Sequence, residues 1–194
     1  MVKSLNKFSD SDKKRKRIRD LLSEDAEKNI FGIVSYAVLK NHYRQIKVYF
    51  GYNRNAFRQY ELQLFRTWRM NASDNGIDFV MRPAGRIFRV KDAGRYDEYL
   101  RDIDSVNHFP ITFVVKTNST SKQVLRELFA FIRQRGDVMR NVEEQYRDAI
   151  EEIITINELR KWLNDLSDKD VNNVVRDLKN CYREETGGRV LFGE

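Results

Sequence analysis

Ile30-Phe31-Gly32-Ile33-Val34-Ser35-Tyr36-Ala37-Val38-Leu39 is the stretch on which the reading of the fold turns. It is rich in β-branched and aromatic residues, which predicts a buried strand. Lys40-Asn41-His42 follows as a turn. Tyr43 to Tyr52 then alternates, with Arg44, Ile46, Val48 and Phe50 on one side and Tyr43, Gln45, Lys47 and Tyr49 on the other. Successive strand residues point to opposite faces, so the first set is expected in the core and the second outside. The outer row is aromatic and basic.

Further along, residues 57–70 fit both a strand and a helical stripe, and the flanking segments favour a strand. Asp74-Asn75-Gly76 signals a turn. Ile77–Arg82 and Arg86–Lys91 flank Pro83-Ala84-Gly85 as the arms of a β-hairpin. A meander of four or five antiparallel strands is therefore expected over residues 30–91. Tyr96–Val106 reads as a short helix, Ile111–Lys116 as a strand, and Val124, Leu125, Leu128, Phe129 and Ile132 as one face of an amphipathic helix ending near Gly136.

Beyond that helix the pattern stays helical. Asp137 is expected to cap a helix through about Ile154. Thr155-Ile-Asn-Glu158 fits a capping box opening the next helix. A third helix is expected over residues 168–180, and a small hairpin over 182–192. The fold class is thus α+β: a twisted antiparallel sheet packed by helices, then a mainly helical C-terminal region. The corresponding divisions are a basic flexible arm at 1–29, a β-rich domain at 30–136 and a helical region at 137–194. The final Arg189–Glu194 reads as a closing strand or as a short linear motif.

Charge is distributed unevenly over these divisions. Residues 30–96 hold twelve Lys/Arg against four Asp/Glu, and thirteen of the 23 aromatic residues. Residues 137–194 hold nine basic and fourteen acidic residues. Basic side chains neutralise phosphates and release counterions, and aromatic faces stack on bases at about 1–3 kcal/mol each. The candidate nucleic-acid contacts are Tyr43, Arg44, Lys47, Tyr49, Trp68, Arg82, Arg86, Arg89 and Lys91. In the arm, Lys13, Lys14, Arg15, Lys16 and Arg17 form a phosphate-binding run or a solvated tail.

Other function classes find little support. His42 and His108 are the only histidines, and neither belongs to a metal or triad pattern. Glu61, Asp78 and Asp92 do not match a two-metal spacing. Cys181 is the single cysteine, which excludes an internal disulfide and suggests a small buried residue. No apolar run approaches the ~20 residues of a membrane span. A soluble, intracellular, non-enzymatic protein without a cofactor is expected, cytoplasmic or associated with nucleic acid, and not secreted. A pI of about 9.5 favours an acidic partner.

A winged helix over 156–192 is the alternative, as a duplex-DNA regulator of transcription or replication. Its recognition helix, however, presents polar positions summing to zero charge. The acidic C-terminal region either meets the basic sheet of another copy, giving a homo-oligomer, or keeps a basic protein soluble; both demand the same pattern.

The order of antiparallel meander, Phe109-Pro110-Ile111-Thr112 and a helix bearing Leu125, Leu128, Phe129 and Phe131 resembles the end of a Whirly-type domain. It is also similar to the RNA-binding proteins of jumbo phages that build a protein nucleus. The resemblance covers residues 30–135, where five or six strands stand against the family's two four-stranded sheets. It implies binding of single-stranded nucleic acid and adds weight to single strands over duplex.

Overall fold

The structure, a computed structural model, describes residues 10–50, 58–67, 77–134 and 140–185. Seven helices and two sheets are present among them, an α+β fold. The chain divides into two compact units, one formed by Met1–Gln63 with Leu159–Glu194, the other by Leu64–Glu158. These units group the N-terminal and C-terminal segments together, in place of the consecutive divisions expected from composition.

In the first unit the deciding stretch is a helix. α1 spans Ser11–Leu21 and α2 spans Lys28–Tyr43. An apolar run buried on every side gives a strand and a central helix the same signature. Here Phe31, Ile33–Leu39, Asn41 and Tyr43 are all buried, which only a helix enclosed by neighbours can achieve over this length. Those neighbours are α1 and α7 (Asp168–Glu185). Buried Asp177 on α7 accepts from Lys40 at 2.9 Å and from Asn41 at 3.0 Å.

The expected flexible arm is likewise ordered over its described residues. Asp10 caps α1 by accepting from the Asp12 N–H at 2.9 Å, and Ile18, Leu21 and Leu22 are buried. Arg15 binds the Leu166 carbonyl at 2.8 Å and Asp168 at 2.9 Å. The run of cations therefore winds around a helix, with Lys13 and Lys16 exposed, Lys14, Arg15 and Arg17 half-buried, and Ile18 and Leu21 turned into the core.

α2 leads into β1 (Lys47–Phe50), which pairs antiparallel with β2 (Arg58–Glu61) in a two-stranded ribbon. The second unit holds a five-stranded sheet of order β3-β4-β5-β6-β7: Gln63–Arg66, Phe79–Arg82, Arg86–Asp92, Ile111–Lys116 and Ile150–Thr155. The β4–β5 hairpin is antiparallel as expected, and Gly85 in its turn adopts φ 69°. β5–β6 and β6–β7 are parallel, so the sheet is mixed where an antiparallel one was expected. α3 (Tyr96–Ser105) and the pair α4 (Ser121–Gln134) and α5 (Arg140–Asp148) make the two crossovers that parallel neighbours require.

These helices pack Tyr99, Ile103, Leu128 and Ile132 against Ile87, Ile111, Phe113, Val115 and Ile153 on one sheet face. β6 is buried from Ile111 to Val115, as expected of a strand enclosed on both faces.

The helix expected through Ile154 stops at Asp148, and β7 takes its place. Ile150, Ile153, Ile154 and Thr155 are β-branched, and β6 offers them a parallel edge. A register shift beside Glu151 lets both Glu151 and Glu152 reach Arg86, at 2.8 and 2.9 Å. Thr155 and Glu158 form the expected capping box, Thr155 N–H and O–H both donating to Glu158 Oε2. It opens α6 (Ile156–Asp165).

α7 continues to Glu185, so residues 182–185 are helix where a hairpin arm was expected. A strand precedes α6 where a winged helix was expected to have a helix, and that alternative loses its pattern. The rest of the hairpin, the Arg189–Glu194 tail and the 74–76 turn lie outside the described residues.

Candidate nucleic-acid interface

The expected site residues separate into three groups. Arg86, Arg89 and Lys91 are the first, and the hairpin does not present them to solvent. Arg89 and Lys91 lie two apart on β5 and so share the face covered by α3. Arg89 Nη1 meets Asp102 at 2.9 Å and Nη2 donates to Ser105 at 3.0 Å. Lys91 Nζ lies 2.5 Å from Asp102 and 3.7 Å from Glu98. Arg89 is 4% exposed and Lys91 9%, which turns them from candidate phosphate contacts into a buried ion-pair network. Arg86 is held by Glu151 and Glu152. Only Arg82 stays exposed, its guanidinium 5.5 Å from the Phe65 ring centre.

Tyr43 forms the second group by itself. It is 6% exposed on the last turn of α2, not outward on a strand. Its ring meets Trp162, and His42 stacks on that indole at 4.3 Å with an interplanar angle of 9°. Burial pushes the His42 pKa down, and Asp165 partly offsets it. Trp162 of α6 and Asp177 of α7 thus fix the end of α2 from which the ribbon departs.

The third group is exposed. Arg44 follows α2, and Lys47 and Tyr49 lie on β1, Tyr49 being 61% exposed. The register sets Lys47 opposite Glu61, Val48 opposite Tyr60 and Tyr49 opposite Gln59. Directly paired residues share a face. Lys47, Tyr49, Gln59 and Glu61 therefore occupy one side, and Val48, Arg58 and Tyr60 the other. All four β2 residues are exposed, with Tyr60 at 41%. The Tyr49 hydroxyl lies 3.5 Å from Gln59 Oε1. No carboxylate of the described residues pairs with Arg44, Lys47 or Arg58. Ile46, expected in the core, is exposed.

Arg58 and Tyr60 escaped the sequence reading because 57–70 fitted two periodicities. A signal was nonetheless available: the sequence carries no carboxylate between Glu27 and Glu61.

In the α1 run, Arg15 is engaged by Asp12 and Asp168, Lys14 donates to Asn172 at 2.8 Å, and Arg17 lies 3.9 Å from Asp20. Lys13 and Lys16 are exposed. Trp68 lies outside the described residues.

No cluster of His, Cys, Asp or Glu among the described residues could hold a metal ion. Asp78 accepts from the Val90 N–H at 2.7 Å and Asp92 pairs with Lys116 at 2.9 Å. No helix among the described residues is long and apolar enough to cross a membrane. No family model, curated protein or solved structure matches the chain.

Proposed function

We propose that this chain is a non-enzymatic nucleic-acid-binding protein that holds single-stranded RNA or DNA through the β1–β2 ribbon, with little sequence preference. One observation carries the reading: a ribbon exposed on both faces bears Tyr49 and Tyr60 among Arg44, Lys47 and Arg58. Exposed tyrosines gain little from water, whereas a base stacked on each contributes about 1–3 kcal/mol. Lys47 on the Tyr49 side and Arg58 on the Tyr60 side neutralise phosphates beside those bases.

Duplex DNA is the second reading, because a two-stranded antiparallel ribbon also fits the major groove. Fluorescence anisotropy with labelled oligo(U), oligo(dT) and a mixed-sequence duplex at two salt concentrations distinguishes them. Binding to both single strands that weakens steeply with salt supports the proposal, and Tyr49→Ala is expected to weaken it about 5- to 150-fold. Tight binding confined to duplex favours the second reading. No binding at low salt refutes both.

A further inference from the structure

The two sides of the β1–β2 ribbon differ in chemistry. Val48, Arg58 and Tyr60 occupy one, without a carboxylate or carboxamide among them. Lys47, Tyr49, Gln59 and Glu61 occupy the other. Glu61 is exposed, and it is the single Asp or Glu in residues 28–73, a stretch with eight Lys/Arg. A carboxylate repels phosphates, so a surface that served phosphates alone would gain from its removal.

The register explains what else it can serve. Glu61 stands directly across from Lys47 and diagonal to Tyr49. Diagonal neighbours of an antiparallel pair lie about 7–8 Å apart, within reach of aromatic and long side chains. Gln59 stands directly across from Tyr49, its Oε1 3.5 Å from the phenol oxygen. A base stacked on the Tyr49 ring therefore meets a carboxamide and a carboxylate at its rim.

An ionised carboxylate only accepts hydrogen bonds, which makes it selective among bases. Uracil and thymine present one N–H between two carbonyls, and those carbonyls repel it. Cytosine and adenine each offer a single amino group. Guanine offers N1–H and N2–H side by side, the parallel pair of donors that a carboxylate accepts in bidentate, charge-assisted bonds. In an unpaired strand this Watson–Crick edge is open to such contacts.

We infer that Glu61 is a specificity-determining residue, reading a guanine stacked on Tyr49. The inference rests on the proposed single-strand binding by the ribbon and adds to it one position where base identity counts. Preference over the strand as a whole stays low, because the Tyr60 side carries no such group.

The test is competition anisotropy on the full chain with the pentanucleotides UUUUU, UUGUU, UUAUU and the inosine counterpart of UUGUU. The unaltered protein is expected to bind UUGUU about fivefold or more tighter than UUUUU. Inosine, which keeps N1–H and lacks the N2 amine, is expected to fall between them. Glu61→Gln, with unchanged circular dichroism, is expected to level the four affinities while raising that for UUUUU. Tyr49→Ala is expected to weaken all four. Equal binding of the four by the unaltered protein, with a uniform gain in Glu61→Gln, makes Glu61 a plain surface charge and overturns the inference while leaving the ribbon. A guanine preference that survives Glu61→Gln also overturns it. No binding of any strand by the unaltered protein overturns the ribbon as well.

Discussion

Replacing Asp102 by alanine leaves two cations stranded. Asp102 is the shared partner of Arg89 at 2.9 Å and Lys91 at 2.5 Å, and all three side chains are at most 12% exposed. Water cannot take over readily, and Glu98, 3.7 Å from Lys91, serves only one of the two. Breaking a buried ion pair by removing one partner costs about 3–5 kcal/mol, chiefly because the remaining charge is buried uncompensated. Two dependent cations place this site at the upper part of that range. With a urea m-value of about 2 kcal/mol/M, the unfolding midpoint falls by about 2–2.5 M.

The companion variant replaces Arg89 and Lys91 by methionine and Asp102 by leucine. Removing the charges together is expected to cost far less than removing Asp102, or to stabilise the protein. Urea unfolding followed by circular dichroism at fixed pH reads both. A midpoint loss below about 0.5 M in Asp102→Ala would show the network to be solvated, and Arg89 and Lys91 would return as candidate phosphate contacts.

Leu128→Ala opens the fully buried face of α4 and is expected to cost about 2–5 kcal/mol in the same assay; a loss below 1 kcal/mol would mean the helix does not sit on the sheet. Thr155→Ala removes the Thr155 hydroxyl from the capping box at the start of α6 and is expected to cost about 0.5–2 kcal/mol, with Thr155→Ser retaining most of the stability. His42 has its folded pKa pushed below the usual 6.5, so the unfolded chain binds its proton first. Its contribution is fully present above about pH 6.5 and declines as pH falls towards the lowered folded value. Thermal melts should lose stability on acidification in that window, and His42→Gln should flatten the dependence; an unchanged profile would place the imidazole in water.

Local period made several elements legible. The β4–β5 hairpin, β6, and helices α3 and α4 carry clean alternation or an amphipathic stripe, because each presents distinct environments to its faces. α2 failed that test since all its sides are buried, and apolar periodicity disappears when every face is core. β7 was hidden because Glu151 and Glu152 suit a helix surface, and only β6 and Arg86 make them strand residues. Parallel pairing was equally illegible, being a choice of tertiary partner.

The candidate site was half legible. Lys47 and Tyr49 stand outward as alternation implied, whereas Arg89 and Lys91 needed a long-range match to be recognised as buried. That match was present in outline: cations two apart on a strand, carboxylates Glu98 and Asp102 four apart on the next helix. Net charge by segment misled most, since it does not distinguish a carboxylate in an ion pair from one facing solvent.

Ultraviolet crosslinking of the full chain to 5-iodouridine-containing oligo(U), followed by mass spectrometry of the tryptic peptides, tests the ribbon most directly. The crosslinked peptides are expected to contain Tyr49 or Tyr60, with the yield falling when either is replaced by leucine. Crosslinks confined to β4–β5 and α3, with none on the ribbon, would contradict the proposed site.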